Sequence, residues 1–164
     1  MCKIILHIKL SINRSLPGKL QLCLAMSLFF ATSVLISIPF FIDLMLVCSI
    51  VGTILHWAYL SYFMWMTTIA FHTWKIFNFS RSCRKSEDQC ESMVWYYVVP
   101  TGVPTVIIFL SLLCEYTLSI PLLKPKYGDG LCFITNKGAL VIFFVVPLGT
   151  SMMISFVLFV LTAY

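Results

Sequence analysis

The feature that most constrains this chain is an uncharged run from Leu44 to Trp74, roughly 31 residues without Asp, Glu, Lys or Arg. A helix needs about 20 apolar residues to cross the ~30 Å hydrocarbon core of a bilayer. A run of this length therefore predicts a tilted membrane-spanning helix with one end projecting beyond the lipid.

One face of this predicted helix carries aromatic and hydrogen-bonding side chains. The residues that share the face at helical spacing are His56, Tyr59, Phe63, Thr67, Ala70 and Trp74. Because lipid offers polar groups no partners, the face is expected to contact other helices or to line a ligand cavity.

Three more apolar runs accompany the central one, so the predicted spans are about 20–42, 46–76, 92–115 and 138–164. Only 10% of the residues are charged, against about 25% in a soluble domain. The composition predicts an all-α membrane protein. Pro39 is expected to kink or end the first span and Pro147 to kink the last, while Pro100 and Pro104 lie inside the third. Backbone carbonyls freed by prolines must find partners on neighbouring helices.

Basic residues predict the orientation of the spans. Eight of the 11 Lys and Arg residues lie in the N-terminal segment or the segment 75–91, and three lie in or beside the loop 116–137. The positive-inside rule places the N-terminal segment and the 77–91 loop in the cytoplasm and 116–137 outside. The positive net charge is thus explained without a nucleic-acid partner. Residues 4–10 are expected to be the end of a preceding helix, and the sequence a fragment.

The cysteines separate according to this orientation. Cys48 and Cys132 lie on the oxidising side, where a bridge would tie the outer loop across the bundle. Two free buried thiols are the alternative. The sequence contains no CxxC or HExxH spacing, so neither a metal site nor a cofactor is predicted.

Several runs together resemble a seven-helix receptor. They are LPGKLQLCLAMSLFFA, LHWAYLSYFMWMTTIAFHTWKIF, TGVP at Thr101–Pro104, and CFI at Cys132–Ile134 before an apolar helix. In this order the chain is similar to the Methuselah-like branch of the secretin/adhesion (class B) G-protein-coupled receptors. The resemblance implies one partial seven-helix domain over 1–164, with the four spans as receptor helices 2 to 5. Residues 1–18 would be the end of helix 1 and the first cytoplasmic loop.

The resemblance also implies roles for individual residues. Cys48 and Cys132 match the disulfide between helix 3 and the second outer loop, and Trp65 matches a packing aromatic in the middle of helix 3. Gly102 and Pro104 match the end of the W-G-V-P of helix 4. The sequence has Thr101 where that motif has Trp, which weakens the expected packing of helix 4 on helix 3.

Two clusters of side chains are candidates for contact with ligand or partner. His56, Tyr59 and Phe63 are predicted either to line a ligand cavity or to be buried groups bonded to neighbouring helices. His72, Trp74 and Lys75, at the inner end of the same helix, either meet a G protein or anchor the helix at the interface.

The function predicted is a plasma-membrane receptor that passes an extracellular signal, for which a peptide is one candidate, to heterotrimeric G proteins. The alternative is a four-span membrane scaffold, although scaffolds of the tetraspanin type carry a Cys-Cys-Gly motif in a larger outer loop. A transporter or channel would be expected to carry ionisable groups inside its spans or paired broken helices, and the uncharged apolar runs argue against this class. An enzyme is not expected, because no nucleophile and base pair can be located.

Overall fold

A computed structural model of the chain describes residues 16–79, 89–117, 122–128 and 132–163. These residues form four long helices: α1 (Leu16–Ser37), α2 (Met45–Phe79), α3 (Gln89–Thr117) and α4 (Lys137–Ala163). Each is long and apolar enough to cross a membrane. The predicted all-α fold with four spans is confirmed. The predicted tail of helix 1 and most of the 77–91 loop lie outside the described residues.

Helices α2 and α3 run further than the predicted spans 46–76 and 92–115. The structure continues α2 to Phe79 and begins α3 at Gln89. The sequence prediction followed the apolar side chains, whereas a helix is held by its backbone hydrogen bonds and continues into polar sequence outside the lipid.

Helix α1 ends where Pro39 was expected to end it. Its last α-helical residue is Ser37, and a 3₁₀ turn follows at Ile38–Phe40. Because Pro39 has no N–H, it cannot donate to the carbonyl four residues earlier. A tight turn then leads into α2, with the Cys48 amide bonded to the Leu44 carbonyl at 2.8 Å.

Helix α2 lies at the centre of the bundle and packs against α1, α3 and α4. Trp65, predicted as a packing residue, is buried in a cluster with Leu20 of α1 and Tyr96 of α3. Its ring also stands edge-on to Tyr97 at 5.6 Å between centroids. The polar stripe is placed against protein as expected, since Thr67 Oγ1 donates to the Ser151 carbonyl of α4 at 3.2 Å.

The two prolines inside α3 create an acceptor that α2 uses. Pro104 is buried and has no N–H, so the carbonyl of Pro100 lacks its partner within the helix. Ser61 Oγ donates to that carbonyl at 3.0 Å. The expectation that a neighbouring helix would satisfy a carbonyl freed by proline is met here.

Helix α4 is irregular in its first half. It is α-helical at Lys137–Leu140, π-helical at Val141–Val145 and α-helical again at Val146–Ala163. The irregularity lies just before Pro147, where a kink was predicted, and Pro147 leaves the Phe143 carbonyl without a helical partner. No described atom lies within 4 Å of a Cβ built on Gly149, which follows the kink.

Candidate functional site

The disulfide between Cys48 and Cys132 fixes the second outer loop to the beginning of α2. The bridge is present as predicted, with the two Cα atoms 4.7 Å apart. Both cysteines are buried. One helical turn further along α2, a Cβ built on Gly52 would lie 2.8 Å from the Cys132 carbonyl oxygen. Gly52 therefore lets the loop backbone rest directly on the helix.

We expect Gly52→Ala to destabilise the chain by about 1–3 kcal/mol, because the new methyl overlaps backbone that the disulfide holds in place. Gly149→Ala is the matched control, since it adds the same methyl to open space. The thermal unfolding midpoints of both variants, purified in detergent, measure the difference. Equal midpoints would mean that the loop does not rest on α2 at Gly52.

The outer cap, which we define as residues 122–128 and 132–136, folds over the ends of α2 and α3. Tyr127 and Ile134 form an isolated antiparallel β-bridge within it. The backbone N–H of Lys126 donates to the Glu115 carboxylate of α3 at 2.8 Å. Gly128 has a φ of +82°, and a Cβ built on it would lie 3.0 Å from the Met45 carbonyl oxygen. A side chain at that position would be both strained and crowded.

Beneath the cap, a chain of hydrogen bonds centres on His56, which is fully buried. His56 Nε2 lies 3.0 Å from the Phe143 carbonyl oxygen, and His56 Nδ1 lies 2.8 Å from Tyr127 Oη. Tyr127 Oη lies 2.9 Å from Ser111 Oγ. The carbonyl is the one that Pro147 frees, so the imidazole supplies a missing helical donor.

The chain of hydrogen bonds has a single donor-to-acceptor direction when His56 is neutral. A carbonyl oxygen only accepts, so Nε2 carries the proton and donates to Phe143, which leaves Nδ1 as an acceptor. Tyr127 then donates to Nδ1, and Ser111 donates to Tyr127. Four parts of the molecule are joined in this way: α2, α3, the cap and the π-helical turn of α4.

Tyr127 is held in the protonated form that this direction requires. Burial, opposed by the hydrogen bond from Ser111 and assisted by the Glu115 carboxylate, raises the pKa of Tyr127 to about 12. A pKa raised above the ordinary value favours the neutral phenol. The side chain therefore keeps its proton throughout the physiological pH range.

The structure places the predicted ligand residues in two different environments. Tyr59 and Phe63 line an apolar cavity of about 400 Å³ between α1, α2, α4 and the cap. The other residues that line it are Leu35, Ile38, Leu55, Phe133 and Phe144. His56 lies behind this cavity, edge-on to Phe144 at 5.6 Å between ring centroids. The second of its two predicted arrangements, a buried group bonded to its neighbours, describes its position.

The residues predicted at the inner end are also separated. His72 is buried and stands edge-on to Tyr96 at 5.3 Å. Trp74 is half-buried beside Phe71, and Lys75 is exposed. Trp74 and Lys75 are therefore accessible from outside the described bundle, whereas His72 packs within it.

The helix-packing candidates on α3 differ from each other. Pro104 is buried and creates the acceptor for Ser61 described above. A Cβ built on Gly102 would meet just one described side chain, Val98 of the same helix, at 3.8 Å. The absence of a side chain at Gly102 thus serves no close helix contact within the described part of the chain.

Sequence reasoning did not find Tyr127, Ser111, Phe133 or Phe144. Pro147 is a signal that the Phe143 carbonyl four residues earlier needs a donor. No comparable signal marks Tyr127, because its place under the cap depends on the path of the loop backbone.

The four spans and the disulfide define a class of protein, a multi-pass membrane protein. The family described as "7 transmembrane receptor (Secretin family)" matches residues 4–164, and the chain belongs to this family. The chain is 23% identical over 119 residues to G-protein coupled receptor Mth2 of Drosophila yakuba, covering 71% of this chain and 22% of that protein. It is equally similar to the probable G-protein coupled receptor Mth-like 10 of Drosophila melanogaster, of which it covers 20%.

The predicted membership of the Methuselah-like branch is thus confirmed. The chain spans about a fifth of the length of these relatives. No solved structure matches the chain.

Proposed function

We propose that the chain forms helices 2 to 5 of a plasma-membrane receptor that passes an extracellular signal to heterotrimeric G proteins. The observation that carries this proposal is the family match over residues 4–164. The disulfide and the cap lie at the extracellular end, where oxidising conditions favour a bridge. The excess of basic residues in the segments at the opposite end favours the same orientation.

The apolar cavity beside Tyr59 and Phe63 is the proposed site for part of the extracellular ligand. Its lining suits an apolar or aromatic group, such as a hydrophobic side chain of a peptide. The wall shared with the cap includes Phe133, so a ligand there touches the loop that carries Tyr127. A shift of the loop then acts on α4 through His56, which bonds both.

At the other end, Trp74 and Lys75 are the proposed contacts with the G protein. Their exposure leaves them accessible from the cytoplasmic side, and His72 supports them by packing against Tyr96. The helices that follow α4 in related receptors would complete that surface.

The orientation is tested by inserting a short epitope tag into the full chain after Cys83 or after Gly130 and staining cells with antibody. We expect the second tag to be detected in intact cells and the first to be detected after permeabilisation. The reverse pattern would overturn the proposed orientation.

Coupling is tested in a chimera in which residues 16–163 replace the corresponding segment of Drosophila yakuba Mth2. Energy transfer between the subunits of co-expressed G-protein heterotrimers reports their dissociation. This signal is compared between cells expressing the chimera and cells expressing unmodified Mth2. We expect the surface-expressed chimera to retain the response of Mth2. A chimera that reaches the surface with its disulfide intact and gives no response would overturn the proposal.

A further inference from the structure

A second cavity lies at the end of the bundle opposite the disulfide. It is a groove of about 580 Å³ between α2, α3 and α4. Its apolar walls come from Met64 and Phe71 of α2, Trp95 and Val99 of α3, and Ile154 and Leu158 of α4. All three wall segments belong to the membrane spans, so the groove lies within the depth of the bilayer. It shares no lining residue with the cavity beside Tyr59.

The two threonine hydroxyls in the middle of the groove wall have partners within the protein. Thr68 Oγ1 donates to the Met64 carbonyl at 2.8 Å, and Thr67 Oγ1 bonds both its own helix and α4. The groove therefore makes no demand for a polar ligand in its middle. An apolar chain of a membrane lipid satisfies this lining.

One end of the groove is different, because Lys75 is the single charged residue among the described residues that line it. Lys75 is exposed, and it forms no ion pair within the described ranges. It stands near the end of the span Met45–Asn78, at the depth where lipid headgroups lie. Trp95, two-thirds exposed at the same end, is typical of this interfacial layer.

We propose that this groove binds an anionic phospholipid, with an acyl chain between α2, α3 and α4 and the headgroup phosphate beside Lys75. A zwitterionic headgroup has no net charge and attracts the Lys75 ammonium group less than an anionic headgroup does, and a sterol hydroxyl carries no charge at all. The assignment of the lipid to the cytoplasmic leaflet rests on the orientation proposed above. The position of the groove and the charge of Lys75 do not depend on that orientation.

The test uses the full chain in lipid nanodiscs containing a trace of photoactivatable lipid with a diazirine on one acyl chain. Phosphatidylserine and phosphatidylcholine probes are compared, and labelled peptides are identified by mass spectrometry. We expect phosphatidylserine to label the chain about fivefold more than phosphatidylcholine does, because one Lys near an anionic surface gives a preference of about that size. Labels should fall in the segments 64–75, 95–99 and 154–158.

Two pairs of variants separate the headgroup from the groove. Lys75→Gln should abolish the preference for phosphatidylserine, whereas Lys19→Gln, a cation outside the groove near the same end, should retain it. Val99→Trp should reduce labelling by both probes severalfold by filling the groove. Val106→Trp, at a more exposed position of the same helix, should leave labelling unchanged.

Equal labelling by the two probes, a preference that survives Lys75→Gln, or labels outside the groove would each overturn the proposal. Insensitivity to Val99→Trp would do so as well. The assay contains no G protein and both faces of the nanodisc carry the same lipids. Its outcome is therefore independent of coupling and of orientation, and a failure here leaves the receptor proposal untouched.

Discussion

Replacing His56 with Leu is expected to destabilise the chain by about 2–4 kcal/mol. The substitution removes the donor to the buried Phe143 carbonyl and one of the two partners of the Tyr127 hydroxyl, which keeps Ser111. A buried polar group left without a partner costs about 1–3 kcal/mol, and the second lost hydrogen bond adds about 1 kcal/mol. Neither group is easily rehydrated, because the site lies under the cap and between the helices. Unfolding of the purified chain, titrated with a denaturing detergent, measures the change in free energy.

His56→Gln is the matched control for this prediction. A glutamine amide offers one donor and one acceptor, so it can serve the Phe143 carbonyl and the Tyr127 hydroxyl in place of the imidazole. We expect it to recover most of the stability that Leu loses. If His56→Leu and the unmodified chain unfold alike, the hydrogen bonds at this site contribute nothing to the fold.

A double-mutant cycle shows whether the chain of hydrogen bonds acts as a unit. Tyr127→Phe should cost less in the His56→Leu background than in the unmodified chain, because the acceptor of its proton is already gone. Strict additivity would indicate that Tyr127 and His56 are held independently.

Loss of the disulfide is the second large effect expected. The Cys48→Ser, Cys132→Ser double variant should lose about 2–4 kcal/mol, because the bridge closes a loop between cysteines 84 residues apart. A reducing agent should lower the unfolding midpoint of the unmodified chain and leave that of the double variant unchanged. Midpoints measured with and without reductant provide the comparison.

Cys23→Ser is the control for thiol chemistry, since Cys23 is half-buried in α1 and free. It should retain the sensitivity to reductant. An unmodified chain whose midpoint does not respond to a reductant that opens the bridge would contradict the prediction. Reactivity of Cys132 towards a maleimide before and after reduction confirms that the bridge was opened.

The spans and the disulfide were predictable because each depends on a property that composition expresses directly. An uncharged run such as Leu44 to Trp74 is more stable in lipid than in water. Once the orientation is predicted, the cysteines on the oxidising side can be identified as candidates for a bridge. The role of α2 as the central helix also followed from its polar stripe, which lipid cannot accommodate.

The details beneath the cap were not predictable from sequence, because they depend on where a loop backbone runs. Tyr127 lies 71 residues from His56 along the chain, and no periodicity connects them. Trp57 likewise donates to Thr105 of α3 at 3.1 Å, a contact that helical spacing alone does not identify. His72 was grouped with Trp74 and Lys75 by proximity in sequence, yet successive residues of a helix point in different directions.

Through the π-helical turn in α4, the imidazole of His56 influences how the second half of that helix is rotated about its own axis. Such a turn accommodates a residue beyond the regular α-helical count, and each residue of an α-helix corresponds to about 100° about its axis. Rewinding Val141–Val145 as regular helix would swing the following stretch around by that angle and separate Ser151 from Thr67. The bond that occupies the Phe143 carbonyl thereby sets which side chains of α4 meet α2 about 12 Å further along the helix.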